Sequence, residues 1–306
     1  MSSSLTHCPT AIIGAGAVGQ ALAHALARQG IPVVAIISRT ASRAEGLAHA
    51  VNARQFGSDS AALPPSVERV LICVPDDAIA TVACVLVPWI KECGHDIIVA
   101  HTSGAHAAQV MHPVQEAGAQ ILSMHPLQTF TRSTSPTAFE GIQLTLEGDS
   151  KACAYGEALA RCIGARPARI ATEAKPLYHL TAVLASNGLV ALLAVARHIW
   201  QEAGLDPDTV FRALQPLVET TWQNVQDHGT EALTGPAARG DAATIKTHLE
   251  ALSQTEQSQL HFDVYKALTT VMVRLQQDLA TSSDATPQIE TMLQTYALKR
   301  CEQKER

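Results

Sequence analysis

The chain has 306 residues, of which 47% are apolar and 16% are charged, and its net charge at pH 7 is −6. This composition is typical of a globular protein of about two domains and excludes a disordered chain. The negative charge leaves no basic surface for nucleic acid, and neither a signal peptide nor an apolar run of the roughly 20 residues that a bilayer requires is predicted. Seven scattered cysteines without a paired spacing indicate free thiols in a cytoplasmic protein.

The first half of the sequence alternates short apolar runs with helical runs. Strands are predicted at about 10–14 and in "PVVAIIS", "RVLICVPD", "DIIVAHTSG", "AQILSMHP" and "GIQLTLEG", with helices that end at Gly30 or span about 41–53 and 151–163. A short run, "RPARIA", closes this half. Strands that alternate with helices at this pace predict a parallel, doubly wound sheet. The fold class is therefore α/β, with an N-terminal Rossmann domain over residues 1–170.

From about residue 171 the apolar positions recur with the period of a helix. Helices are predicted at 176–203, 206–228, 241–254, 257–280 and 285–300, and no convincing strand follows residue 171. The remainder of the chain, residues 171–306, is therefore predicted to be an all-α domain.

A glycine-rich turn, "GAGAVG", follows the first predicted strand and opens a helix. In dinucleotide-binding domains the first glycine of such a turn permits a tight bend, the second lets a pyrophosphate approach, and the third lets helix and strand pack closely. The turn predicts a dinucleotide site, and the alternative is a glycine-rich turn without a ligand. The predicted contacts are Gly14, Ala15, Gly16, Ala17, Val18 and Gly19.

The end of the second predicted strand indicates which dinucleotide binds. NAD-binding domains place Asp or Glu there to hold the ribose 2′-hydroxyl. This chain instead has Ser38, Arg39 and Thr40, with Arg43 nearby. No carboxylate would repel a 2′-phosphate, and a guanidinium can bind it. NADP(H) is therefore the predicted cofactor, and the alternative is that Arg39 is only a solvated loop residue.

The sequence "CVPDDAI" ends a further predicted strand. Ligands of doubly wound sheets lie beyond the carboxyl ends of the strands, so Val74 and Pro75 are predicted to contact the ribose or nicotinamide of the cofactor. Asp76 or Asp77 is interpreted as a cap of the following helix rather than as a catalytic group.

Histidine and serine residues follow the next two predicted strands, in "AHTSGAH" and "SMHPLQTF". His101, Ser103 and His125 therefore share one edge of the sheet, where His can exchange protons near neutral pH and Ser can bind a carboxylate or carbonyl. The structural alternatives are a turn at His125-Pro126 and a helix cap at Ser103. The histidine spacings fit no metal-binding pattern, so no metal is predicted.

A long predicted helix begins with "KPLYHLTAVLASNG". At about 100° per residue, Lys175, His179 and Ser186 lie on one stripe of this helix. Polar side chains are costly to bury, and a buried Lys beside a nicotinamide could act as an acid or hold a substrate carboxylate. The alternative is that Lys175 reaches water along its aliphatic stem and the stripe only packs.

These motifs resemble the 6-phosphogluconate dehydrogenase-like oxidoreductases, in which a Rossmann domain precedes a long helix that begins with Lys. The segments "HTSGAH", "SMHPLQTF", "KPLYHLTAVLASN" and "ALTGPAARGD" are similar to a narrower family of Rossmann-like proteins with a C-terminal helical domain of unknown function, often labelled NADP oxidoreductases. This resemblance covers almost the whole chain. It implies a 6-phosphogluconate dehydrogenase C-terminal-like helical domain at 171–306 and a homodimer formed through that domain.

Single positions match the superfamily unevenly. Lys175 matches its helical Lys by location, whereas hydroxyacid and ketopantoate relatives have Asn one turn later, where this chain has His179. That departure puts both of those substrates in doubt. His125 is similar to the His of a His-Pro pair in prephenate dehydrogenases. In "LTGPAARGD" Arg239 could reach an anion or a partner subunit, or the loop could only pack.

From the residues and the resemblance we expect an NADP(H)-dependent oxidoreductase that acts on a small carbonyl or imine, with a carboxylate, in an interdomain cleft. Lys175 and His179 would supply protons or charge, and Ser103 and His125 would orient the substrate. One alternative is an imine reductase like the pyrroline-5-carboxylate reductases, and another is an NADP(H)-binding sensor or scaffold without chemistry. Neither a nucleic acid nor a membrane is expected as a partner.

Overall fold

The computed structural model describes residues 7–59, 63–94, 96–131, 135, 137–278 and 286–304. By their internal contacts the residues form two compact units, Met1–Ser186 and Asn187–Arg306. The predicted helix ends at 280 and 285 lie outside the described residues.

The first unit is built on one eight-stranded sheet of order β3-β2-β1-β4-β5-β6-β7-β8. Its strands are β1 (Thr10–Ile13), β2 (Val33–Ile37), β3 (Gln55–Gly57), β4 (Arg69–Ile72), β5 (Ile98–His101), β6 (Gln120–Pro126), β7 (Gln143–Gly148) and β8 (Arg166–Arg169). Strands β1 to β6 pair in parallel. Their order is the one that dinucleotide-binding sheets share, which confirms the predicted doubly wound α/β fold.

Two details of the sheet differ from the prediction. The short strand β3 was not predicted, because its three residues carry no alternating apolar pattern. Strands β6 and β7 pair antiparallel, so the sheet is not purely parallel. A parallel pair needs a long crossover, usually a helix. The described residues between these two strands contain no helix, and the chain reverses direction there.

Helices cover both faces of the sheet. Leu22, Leu26 and Leu159 pack in the apolar cluster on one face, and Leu86 and Val114 pack in the cluster on the other. Because both faces are buried, the central strands are apolar along their whole length. The helices of this unit are α1 (Ala17–Arg28), α2 (Ala41–Val51), α3 (Ile79–Glu92), α4 (His112–Glu116), α5 (Ser150–Cys162) and α6 (Lys175–Val183).

Helix α6 continues into a π-helical segment, Leu184–Gly188. A π-turn changes the angular phase, so Ser186 does not keep the ideal-helix alignment with Lys175 that the sequence predicted. The helical run Thr172–Glu202 is long and apolar enough to cross a membrane by length and composition, and 6% of its most apolar window is buried. This helical run meets the length and composition criterion although polar residues interrupt it, whereas the sequence predicted no apolar run of that length.

The second unit is helical throughout its described residues. Its apolar core contains Ile245, Leu249, Phe262, Val273, Ile289 and Leu293. Its helices are α7 (Leu189–Glu202), α8 (Val210–His228), α9 (Pro236–Arg239), α10 (Ala242–Leu252), α11 (Ser258–Asp278) and α12 (Thr286–Lys304).

The segment "LTGPAARGD" forms the short helix α9 and the start of α10. Gly235 and Gly240 have φ values of +96° and +69°, which favour glycine. Asp241 caps α10, because its Oδ1 accepts a hydrogen bond of 3.0 Å from the backbone N–H of Thr244. These local bonds support the packing interpretation of this loop.

Candidate functional site

The glycine turn after β1 contains two positions where only glycine fits. Gly14 has a φ of +113°, and a Cβ there would lie 2.2 Å from the carbonyl oxygen of Cys73. A Cβ on Gly19 would lie 1.9 Å from the carbonyl oxygen of Gly14. Gly16, at the N-cap of α1, has no atom within 4 Å of an added Cβ. The backbone of Gly16 therefore faces open space at a helix N-terminus, where an anion can approach.

A cavity of about 250 Å³ opens beside this turn. It lies beyond the carboxyl ends of β1, β2 and β4, where the strand order of the sheet reverses and such sheets bind ligands. Of the predicted cofactor residues, eight line it: Gly14, Ala15, Gly16, Ser38, Arg39, Thr40, Val74 and Pro75. Ala17, Val18 and Gly19 lie in the first turn of α1 and do not line it. The sequence missed Ser58, which follows the unpredicted strand β3.

The charges around the cavity are positive. Arg39 and Arg43 both line it, and no Asp or Glu among the described residues does. Within the described part of the chain, neither arginine forms an ion pair with a carboxylate. The first turn of α1 contains no acidic residue. An open backbone at a helix N-terminus together with two unpaired guanidinium groups fits a dinucleotide with a 2′-phosphate.

Asp76 and Asp77 do not cap α3. Both lie within the 3₁₀ turn Asp76–Ala78, and the N-cap positions of this turn and of α3 are Pro75 and Ala78. The cap interpretation is therefore wrong for these two carboxylates, because the chain takes one 3₁₀ turn before the helix begins.

Buried polar side chains occupy neighbouring positions of β5, β6 and β7. His101 pairs with Ser123, and Ser123 pairs with Glu147. Residues in register project from the same face of a sheet, so these three side chains lie side by side. All three are less than a tenth exposed. His125 pairs with Thr145 on the same face, two residues after Ser123 in β6 and two residues before Glu147 in β7.

Lys175 lies over this row. It is 2% exposed, so it does not reach water. Its Nζ donates to Ser123 Oγ at 2.6 Å and to the carbonyl oxygen of Ser103 at 3.5 Å. Burial lowers the pKa of Lys175, and the nearby carboxylates of Glu147 and Asp76 oppose that shift.

His101 and Ser103 hold the turn after β5. The backbone N–H of Ser103 donates to His101 Nδ1 at 3.1 Å, so Nε2 carries the ring proton and donates to the carbonyl oxygen of Ala107 at 3.2 Å. Burial lowers the pKa of His101 to about 4. Ser103 Oγ accepts hydrogen bonds from the backbone N–H groups of Ala105 and His106. Its hydroxyl thus serves the turn, and a substrate contact by Ser103 stays a prediction.

Glu147 is a buried carboxylate that the sequence analysis missed. Its Oε2 accepts from the backbone N–H of Ala108 at 2.7 Å, and its Oε1 accepts from Thr172 Oγ1 at 2.8 Å. The side chain thereby ties β7 to the segment that precedes α6. Alternation along "QLTLEG" puts Glu147 on the same face as Thr145, and this signal could have identified it.

His125 is half-buried between two residues of α6. Its Nδ1 lies 2.8 Å from the hydroxyl of Tyr178, and its ring centroid lies 6.2 Å from that of His179. An added Cβ on Gly104 would lie 2.8 Å from His125 Nε2 and 2.7 Å from His179 Cδ2, so a glycine there lets both rings approach. Burial, with the charges of Lys175 and His179, lowers the pKa of His125 to about 4. Tyr178 was not predicted, although it lies one helical turn from Lys175.

The cavity and the polar residues share one edge of the sheet. Asp76 directly follows Pro75, which lines the cavity, and it lies close enough to act electrostatically on His101, His125 and Lys175. Strands β4 and β5 are in register, with Ile72 beside His101. Among the residues that the structure describes, no group of three or more His, Cys, Asp or Glu could hold a metal ion.

Comparisons with known proteins agree with this architecture. Residues 5–126 match the model of a Rossmann-like domain, and residues 142–272 match that of a domain of unknown function (DUF2520). The structure is similar to that of a candidate NADP oxidoreductase from Bacteroides fragilis, with 26% identity and a TM-score of 0.72 over 88% of this chain and 99% of that one. No curated protein matches the chain.

Two more distant structures share the fold. One is an imine reductase from Myxococcus stipitatus in complex with NADP+, with 14% identity and a TM-score of 0.64 over 93% of this chain and 99% of that one. The other is a reductive aminase from Aspergillus terreus in complex with NADPH and ethyl levulinate, with 15% identity and a TM-score of 0.61 over 93% of this chain and 99% of that one.

The chain is thus a Rossmann-like α/β protein with a helical C-terminal part. Its residues 142–272 match the model of the domain of unknown function named above, which confirms the resemblance drawn from the sequence motifs.

Proposed function

We propose that the protein is an NADPH-dependent oxidoreductase that transfers a hydride to or from a small carbonyl or imine bearing a carboxylate. One observation carries this proposal. A single cavity joins the open backbone at Gly16 to the unpaired Arg39 and Arg43, and it shares its sheet edge with the buried Lys175. Anion binding and a set of polar groups therefore meet where doubly wound sheets bind their ligands.

Specific residues would hold each part of the cofactor. The N-terminus of α1 at Gly16 would bind the pyrophosphate through backbone N–H groups. Arg39 and Arg43 would bind the 2′-phosphate, helped by the hydroxyls of Ser38, Thr40 and Ser58 that line the same cavity. Val74 and Pro75 would contact the ribose or nicotinamide.

When bound, NADPH supplies a hydride to an electrophilic carbon. The chain would orient the substrate with His125 and His179, and the buried charge of Lys175 would stabilise negative charge that develops on the substrate. The fold shared with an imine reductase and a reductive aminase, each in complex with NADP+ or NADPH, favours an imine among the possible substrates. A pyrroline carboxylate is a cyclic imine that also carries a carboxylate, so it contains both of the groups that the proposed substrate requires.

Cofactor preference tests the proposal directly. Dissociation constants for NADPH and NADH are measured by fluorescence titration of the wild-type protein and of Arg39→Ala. NADPH should bind at least about 10-fold more tightly than NADH, and Arg39→Ala should lose most of that difference, since one charge-assisted hydrogen bond is worth about 1.5–3 kcal/mol. Equal affinities in the wild-type protein would contradict the proposal.

Arg166→Ala is the matched control for this titration. Arg166 is exposed and begins β8, six strand positions from β2 in the sheet. Its loss should leave both dissociation constants unchanged. Tight NADPH binding without turnover on a broad panel of carbonyls and imines would favour the sensor or scaffold instead.

A cytoplasmic homodimer formed through the helical unit is part of the same proposal. Large apolar side chains of that unit are exposed, including Val190 (68%), Leu217 (64%) and Trp222 (63%). Such surfaces are typical of interfaces. Light scattering should give twice the chain mass of 32.5 kDa, and Trp222→Glu should shift the protein towards the monomer. A monomeric wild-type protein at micromolar concentration would contradict the dimer.

A further inference from the structure

We propose that Tyr178 is the proton donor of this site and that it acts through His125. The inference rests on the proposed function, because a carbonyl or imine that accepts a hydride also needs a proton on its oxygen or nitrogen. It assigns that step to a residue that the sequence motifs do not reveal.

The two side chains form a well-defined pair. The hydroxyl of Tyr178 lies 2.8 Å from His125 Nδ1, and the ring centroids are 5.6 Å apart with an angle of 84° between the planes. Both residues are half-buried, and they come from β6 and α6.

The neighbours of Tyr178 favour one direction of this contact. Gln143 Nε2, which can only donate, donates to Thr145 Oγ1 at 3.1 Å. The proton of Thr145 is then available for the hydroxyl oxygen of Tyr178: burial raises the pKa of Tyr178, and the Thr145 hydroxyl opposes that shift. Tyr178 in turn directs its own proton to His125 Nδ1. The imidazole is neutral, so the ring proton of His125 is placed on Nε2.

The Nε2 atom of His125 is the end of this chain. Within the described part of the protein it has no hydrogen-bond partner. A Cβ added to Gly104 would lie 2.8 Å from it, so the ring has room only because residue 104 is a glycine. Lys175, by contrast, is 2% exposed and already donates to Ser123 and Ser103. His125 is therefore better placed than Lys175 to touch a substrate atom.

The proton transfer balances as follows. As the substrate carbon accepts the hydride, the π electron pair of the C=N or C=O bond moves to the nitrogen or oxygen. That atom takes the proton from His125 Nε2, and His125 Nδ1 takes the phenolic proton of Tyr178. The imidazole stays neutral throughout, and water reprotonates the half-exposed phenolate of Tyr178. A neutral histidine with a pKa of about 4 needs such a second donor, because too little of its protonated form exists near pH 7.

The tautomer of His125 tests the proposal without any cofactor. Nitrogen NMR of the imidazole rings, assigned with the His125→Gln variant, should show the proton on Nε2 in the wild-type protein. In Tyr178→Phe the preference should weaken, because the donor to Nδ1 is lost. A proton on Nδ1 in the wild-type protein, or an unchanged ring in Tyr178→Phe, would overturn the proposal.

Kinetics give the second test. NADPH oxidation is followed with two probes, 1-pyrroline-5-carboxylate and cyclohexanone with allylamine. Tyr178→Phe should lower kcat about 100-fold and leave the dissociation constant of NADPH unchanged, whereas an unchanged kcat would overturn the proposal. If the wild-type protein binds no NADPH, the proposed function fails and the proton-transfer step fails with it, whereas NADPH binding with an unchanged kcat in Tyr178→Phe overturns the proton transfer alone.

The chain offers a matched control for Tyr178→Phe. Tyr265 makes the same contact with His248 in the helical unit, with a distance of 2.8 Å from the hydroxyl to Nδ1, ring centroids 5.6 Å apart and an interplanar angle of 82°. Tyr265→Phe removes an equivalent hydroxyl. Both kcat and the tautomer of His125 should be the same in Tyr265→Phe as in the wild-type protein.

Discussion

The two ends of one sheet edge use different means to form a site. Around β1, β2 and β4 the strands end in small residues and exposed arginines, which surround an open cavity. Around β5, β6 and β7 the corresponding positions carry His101, Ser123 and Glu147, which are buried side by side. The first region uses backbone and free space, and the second uses buried side chains that bond to backbone groups, to Lys175 and to Thr172. Substitutions of residues that line the cavity without close neighbours should mainly change binding, whereas those in the second region should also change stability.

Two glycines of the same turn give the largest contrast within the first region. Gly19→Ala should destabilise the protein by about 3 kcal/mol or more, because its Cβ would lie 1.9 Å from a backbone oxygen that cannot move freely. Gly16→Ala, where an added Cβ meets nothing within 4 Å, should fold normally and lose NADPH affinity. Urea unfolding and NADPH titration measure the two effects. Equal stability of the two variants would contradict the distinction between a glycine required for packing and a glycine that leaves space for a ligand.

Acid should weaken the second region through its buried histidines. The pKa of His101 is about 4 in the folded protein and 6.5 in an unfolded chain, because burial opposes its charge. Below pH 6.5 the unfolded chain binds a proton that the folded chain does not, so stability falls as the pH drops towards 4 and then levels off. The loss from this residue is about 3 kcal/mol. The first unit should unfold at lower urea concentration at pH 4.5 than at pH 7.

His101→Gln separates this effect from other acid effects. The variant is less stable at pH 7 because it loses the turn contacts, but its stability should depend less on pH over the same range. An equally steep dependence in the variant would show that His101 is not the cause.

A smaller loss is expected from Glu147→Gln. The amide cannot accept hydrogen bonds from both the backbone N–H of Ala108 and the hydroxyl of Thr172 through two oxygens, as the carboxylate does. The cost should be about 2 kcal/mol in urea unfolding. Glu140→Gln is the control, since Glu140 is half-exposed and its ion pair with Arg28 spans 3.4 Å, which makes a cost under about 1 kcal/mol expected. Similar losses in both variants would contradict a special role for Glu147.

The smallest expected effect concerns the charge of Lys175. In Lys175→Met the repulsion between this cation and a protonated His125 disappears, so the pKa of His125 should rise from about 4. It should stay below 6.5, because burial is the larger cause of the shift. NMR titration of the His125 ring measures this change. Lys151→Met, which removes an exposed lysine paired with Asp96, should leave that titration unchanged.

The sequence predicted the first region better than the second for a physical reason. The glycine turn and the residues at the ends of β1, β2 and β4 act through local backbone geometry, which a short motif records. Ser58 was missed because β3 is only three residues long and has no alternating pattern. The edge shared by His101 and His125 was predicted because parallel strands end together.

The contacts of the second region depend on pairing that no local motif contains. Glu147 lies beside Ser123 only because β7 runs antiparallel to β6 in one particular register. Tyr178 reaches His125 only because α6 packs on that face of the sheet. For the same reason the sequence left open whether Lys175 is buried or reaches water. Helix periodicity gives the face of a residue but not the surface that this face meets.

The pairing of β6 with β7 also limits how this protein can change. Ser123 and His125 alternate with Leu122 and Met124, which belong to the apolar cluster on the other side of the sheet. Deleting or inserting one residue in β6 would exchange the two sets. The polar side chains would then face the apolar cluster, and the apolar side chains would face Lys175. Relatives with different chemistry should therefore differ by point substitutions on one side of this strand, while its length and phase stay constant.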